Sequence, residues 1–177
     1  MKLIKLTALP LLLSTVIVAM VACEPDAEIK KITDFEKKMI VMSGAQQAPA
    51  NSSSAIGSMD VFYTKETRTL TYKLTWSGLA DSVSAIRIHG LAPAGYATAS
   101  VAQFIVGPSA PVTPIFPQKT SGKFTYAKSG TLTGTLLVDG VVIKEADLLN
   151  GMYYINISSN APAYSAAGEI RGQIKFQ

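Results

Sequence analysis

The sequence predicts an all-β domain, an antiparallel sandwich or barrel of about seven or eight short strands. Three observations carry this. From residue 35 onward apolar residues recur with a period of two rather than 3.6. The alternating runs are rich in Thr, Val, Ile, Tyr and Trp, residues that suit a pleated, half-buried surface. Gly, Pro and Asp-Gly signals separate the runs at short intervals.

Gly57–Thr64 reads as the first strand, and Lys65-Glu66 as the turn of a hairpin. In the next run Leu70, Tyr72, Leu74 and Trp76 alternate with Thr69, Thr71, Lys73 and Thr75, so the apolar set shares one face. Val83–His89 places Ile86 and Ile88 on one face, with Arg87 and His89 on the other. Ala99–Val106, Gly122–Tyr126, Gly130–Val138, Met152–Ser158 and Gly168–Phe176 complete the strands. Gly107–Pro117 holds four prolines and reads as a long loop or edge excursion, because proline cannot donate to a ladder. Asp139-Gly140 signals a tight turn. Lys144–Asn150 suits one or two helical turns, with Gly151 as the left-handed stop.

The 177 residues suffice for one domain of ordinary size. The formal net charge of +4 includes Lys2 and Lys5, whereas all twelve acidic residues follow Cys23, so the remainder carries a net charge of +2. Its basic residues are scattered and form no stripe, which argues against a nucleic-acid partner. The single cysteine excludes an intramolecular disulfide.

Position explains that cysteine. Two lysines in Met1–Lys5 precede seventeen uncharged residues, Leu6–Ala22, whose last three, Met20-Val21-Ala22, stand immediately before Cys23. This resembles the lipobox of bacterial lipoprotein signals, with Met20 where Leu is commonest. Residues 1–22 are thus expected to be a cleaved lipoprotein signal, 23–36 a polar tether, and 37–177 the β domain. Cys23 is the expected lipidation site, which implies an exported protein anchored to the bacterial cell envelope, at the outer membrane. An uncleaved membrane anchor and a secretory signal cut elsewhere are the competing readings.

Four segments resemble the CHRD domain, a family named for its occurrence in chordin. They are Ser43-Gly44-Ala45-Gln46-Gln47-Ala48-Pro49, Ile86-Arg87-Ile88-His89-Gly90, Asn150–Ile157 and Gly168-Glu169-Ile170-Arg171-Gly172-Gln173-Ile174. The last matches the family's closing motif most closely, and the resemblance spans about residues 38–177. It implies an immunoglobulin-like sandwich or barrel, likened to copper/zinc superoxide dismutases. The chain departs from the pattern where ligands would matter, for Arg87 replaces the first family histidine and Ser158 stands where another usually follows. His89 is the sole histidine in the chain.

By strand parity, Arg87 with His89, Asn156 with Ser158, and Glu169 with Arg171 each share a face. If the three strands converge, these six residues form a polar cluster. One reading makes it a cleft for an anionic or sugar-like ligand. The other makes it a structural network that holds strand register, with Glu169 pairing with Arg87 or Arg171. No catalytic residues are assigned, because one histidine and no Gly-x-Ser-x-Gly elbow leave no nucleophile–base–acid set. No metal site or cofactor is expected, since copper and zinc sites of the dismutase kind need several imidazoles. Asp81-Ser82-Val83 resembles a bacterial O-glycosylation signal at Ser82. The expected role is non-enzymatic, in interaction or structure at the envelope, with an envelope protein or glycan as partner. Small-ligand or carbohydrate binding around His89 and Glu169 is the alternative.

Overall fold

A computed structural model describes residues 32–96, 99–107 and 127–176. The expected signal, Cys23, most of the tether, the proline-rich stretch beyond Gly107 and the expected strand Gly122–Tyr126 lie outside these residues. Eight antiparallel strands follow in order: β1 (Asp34–Ser43), β2 (Ile56–Thr64), β3 (Thr69–Ser77), β4 (Val83–Gly90), β5 (Val101–Val106), β6 (Gly130–Leu137), β7 (Tyr153–Ser159) and β8 (Ile170–Gln173). A five-residue helix, α1 (Glu145–Leu149), stands between β6 and β7 and stops at Gly151, whose φ of +70° is left-handed.

The strands form one curled sheet in the order β5-β4-β7-β8-β1-β2-β3-β6. Its centre is thin, because β1 and β8 share only the register pair Ser43↔Arg171. The sheet therefore folds there into two four-stranded halves whose inner faces meet. Leu70, Tyr72, Leu74 and Trp76 from β3 pack in one core with Ile86 and Ile88 from β4, all at most 2% exposed. These are the residues that period-two patterning assigned to the interior.

β1 was not recognisable as a strand, and it begins at Asp34, inside the stretch expected to be tether. The register of β1 on β2 slips between Lys37 and Ile40, where Met39 adopts φ +56° and its N–H donates to Asp60 Oδ1. One extra residue at this bulge swaps the faces that follow. Ile40 and Met42 thereby turn inward, while Met39 and Val41 face solvent.

The two ends of the sandwich differ. Thr33, the Lys65–Arg68 turn, the Asp139–Ile143 loop, α1 and Gly90 lie at the end where the chain enters, tied by Lys65 N–H to Thr33 O and Val138 N–H to Arg68 O. The 43–53 segment, the 78–82 loop and Gly168 lie at the other.

Candidate functional site

Strand pairing sets Arg87 on β4 opposite Asn156 on β7, and Asn156 opposite Arg171 on β8. One pair along, His89 lies opposite Tyr154, which lies opposite Gln173. These side chains share the outer face of their half, since Ile86, Ile88, Ile155, Ile157 and Ile170 fill the inner one. Parity thus brings together five of the six expected residues.

The outer face is not open. Residues 91–96 and Ala99, between β4 and β5, lie over it, and the polar side chains bind their backbone. Arg171, 1% exposed, donates to Tyr96 O (3.0 Å), to Pro93 O (3.2 Å) and to Gln173 Oε1 (2.9 Å). Gln173 Nε2 donates in turn to the carbonyls of Ala92, Gly151 and Tyr153. Tyr154 OH accepts from Ala99 N–H, and the His89 ring reaches Ala99 O at 2.8 Å. A carbonyl can only accept, so Nδ1 of His89 carries the proton.

His89, Tyr154 and Arg171 also stack in a row. The imidazole lies 5.1 Å from the phenol ring at 7° between planes, and the guanidinium carbon sits 3.6 Å from the Tyr154 centroid. Burial pushes the His89 imidazole below its ordinary pKa. The bond to Ala99 works the other way, and the charges on Arg87 and Arg171 reinforce the fall. Burial also lowers both guanidinium values. The histidine is therefore a neutral packing residue near pH 7. Its Nε2 is buried with no hydrogen-bond partner among the described residues.

Arg87 is half-buried, donates to Ser158 Oγ at 3.3 Å, and stacks on Phe104. Asn156 accepts from Gln47 Nε2 and donates to Ala167 O. Gly168, at φ +96°, lies so close that a Cβ there would overlap the Asn156 amide.

Glu169 does not join the cluster, which corrects the expected pairing with Arg87 or Arg171. Its backbone N–H bonds Ile157 O, and its side chain turns to the end of the sandwich opposite the chain entry. There the carboxylate, 0% exposed, accepts from Ser53 Oγ (2.7 Å), Ala80 N–H (2.8 Å) and Ser159 Oγ. Three donors satisfy it, and no cation pairs with it among the described residues.

Residue reasoning missed Tyr154, Gln173, Gln47, Ser53 and Ser159. The first two were within reach, since each lies two residues from a named member on the same strand face. Among the described residues no three His, Cys, Asp or Glu side chains gather as metal ligands would. Ser82 is half-buried, and its Oγ accepts from Asn160 Nδ2 at 2.9 Å. A separate apolar groove of about 370 Å³ crosses the outer face of β1–β3, lined by Met39, Val41, Ile56 and Trp76 among others.

The model of the CHRD domain family matches residues 39–174, more than half of the chain. The chain belongs to the CHRD domain family. The match spans β1 to β8, so the network around Arg171 and the Glu169 cluster both lie within the CHRD domain. No curated protein and no solved structure matches the chain.

Proposed function

We propose that this chain is a lipid-anchored CHRD module with a non-enzymatic interaction or structural role at the bacterial cell envelope. The observation that carries the anchoring is a run of seventeen uncharged residues, Leu6–Ala22, that ends in Met20-Val21-Ala22 directly before Cys23, the sole thiol. The state of the polar residues supports the non-enzymatic part. Arg171, Gln173 and Asn156 direct their donors to the chain's own carbonyls, Glu169 accepts from three internal donors, and His89 is held neutral. A bound ligand would have to displace those contacts.

The small-ligand or carbohydrate reading loses its strongest pair, because Glu169 stands apart from His89. An envelope protein or glycan remains the proposed class of partner, and Ser82 the proposed glycosylation position. The anchoring test is Cys23→Ser in cells. The proposal expects release from membranes or accumulation of unprocessed precursor, read by detergent phase partitioning and intact mass. A processed mutant that still partitions into detergent would overturn it.

A further inference from the structure

The end of the domain that receives the chain also presents an apolar tip. Val141 is 78% exposed and Val142 50%, adjacent on the loop between β6 and α1. Leu91, 52% exposed, follows Gly90 at the end of β4. The Tyr153 ring lies between the two sites: it covers Gly90, and its hydroxyl donates to Val142 O and accepts from Lys144 N–H.

This tip is held out rigidly. Asp139 Oδ1 accepts from the N–H groups of Val141 (2.9 Å), Val142 (2.9 Å) and Ile143 (3.1 Å), and Gly140 N–H closes the loop on Ile143 O. Ile143 is buried as the loop's anchor, 2% exposed, so the two valines cannot tuck in without undoing that turn. A fixed apolar tip exposed to water marks an interaction surface.

The chain's own course argues for the occupant. Thr33 enters at the same end of the domain, against the Lys65 turn. Nine residues separate it from Cys23. Even fully extended, at about 3.3–3.6 Å per residue, they keep this end within about 35 Å of whatever holds the cysteine. The charges there show no basic excess: Lys65 pairs with Glu145 at 3.1 Å, while Arg68, Lys144 and Lys175 stand with Asp34, Glu66, Asp139 and Asp147. Nothing in that set selects an anionic surface, so contact would rest on apolar insertion.

The geometry points to the bilayer itself as the partner: Val141 and Val142 rest in the interfacial layer of the membrane that carries the anchor, with Leu91 beside them. This deepens the lipoprotein reading and rests on it. The domain would then stand end-on, with the Glu169 end directed away from the lipid.

The test uses the mature protein from membranes, where an acylated Cys23 leaves no reactive thiol. Val141→Cys and, at the far end, Thr131→Cys are each labelled with an environment-sensitive fluorophore and reconstituted in phosphatidylcholine vesicles containing doxyl-labelled lipid. The label at 141 is expected to shift to the blue and to be quenched several-fold more than the label at 131, without dependence on salt. Equal, water-like signals at both positions in protein that floats with the vesicles would overturn the inference and leave the anchor intact. If the unmutated protein takes label at Cys23 and fails to float, the anchor reading falls and the inference with it.

Discussion

Glu169 offers the sharpest test of how this fold is held together. It is a fully buried carboxylate with no cation beside it among the described residues, bound by Ser53 Oγ, Ser159 Oγ and Ala80 N–H. Glu169→Ala removes an acceptor from each. The two hydroxyls can rotate to new partners, but the Ala80 N–H is fixed by the backbone. An unmet buried donor costs about 1–3 kcal/mol, and the loss of one buried methylene, Cγ, adds about 0.8 kcal/mol. The expected loss is about 2–4 kcal/mol. Glu169→Gln keeps the shape and one oxygen, and requires Ser159 to reverse its bond. It should cost about 1–2 kcal/mol, still beyond a surface change. Urea unfolding separates the two, since with a slope of about 2 kcal/mol/M the alanine variant should lose about 1–2 M in midpoint and the Gln variant about half of that. A double-mutant cycle with Ser53→Ala should show coupling, because Ser53 donates directly to Glu169. An alanine variant within about 1 kcal/mol of wild type, or a Gln variant as damaged as the alanine one, would refute the account.

Other expectations follow from the same geometry. His89 has a depressed pKa in the folded protein, so the unfolded chain binds its proton more readily. The stability linked to it is complete above the unfolded value near 6.5 and drains as pH falls toward the folded one. His89→Gln, which removes the only histidine, should flatten the fall in unfolding free energy between about pH 7 and 5; an unchanged slope would show that His89 is not its source. Leu74→Ala, at 0% exposure in the core, should cost about 2–5 kcal/mol by urea unfolding, and a loss under about 0.5 would mean that β3 is inside out. Met39 holds a left-handed φ at an exposed bulge. Met39→Val should lower the melting temperature while Met39→Gly leaves it equal or higher, because a β-branched residue tolerates that region worst; the reverse order would place the strain elsewhere.

What could be read in the residues depended on whether a period ran unbroken. β3 alternates without interruption from Thr69 to Ser77, so its buried face was plain. β1 escaped because its period restarts at Met39, and a bulge has no signature in residue type. Arg87, Asn156 and Arg171 were placed together correctly because parity holds along regular strands. Glu169 was grouped with them wrongly because β8 begins only at Ile170, after the left-handed turn at Gly168, and parity does not carry through a turn. The covering loop left no trace because it acts through the carbonyls of Ala92, Pro93, Tyr96 and Ala99. Any residue would supply those.

That reliance on backbone carbonyls bears on what the outer network does for the fold. A strand displaced by one residue exchanges its two faces. In β8 such a slip would drive the Arg171 guanidinium into the aliphatic layer formed by Ile86, Ile155 and Ile157, and would strip it of the Pro93 and Tyr96 carbonyls. An unpaired buried charge is among the costliest errors a fold can make. β8 has only four residues and a single register pair to β1, so its own ladder discriminates weakly between alignments. Arg171 and Gln173 supply the discrimination that the ladder lacks, and they also pin residues 92–96 over the outer face. The polar face thus holds the thin centre of the sheet in one register, the place where the two halves of the sandwich meet.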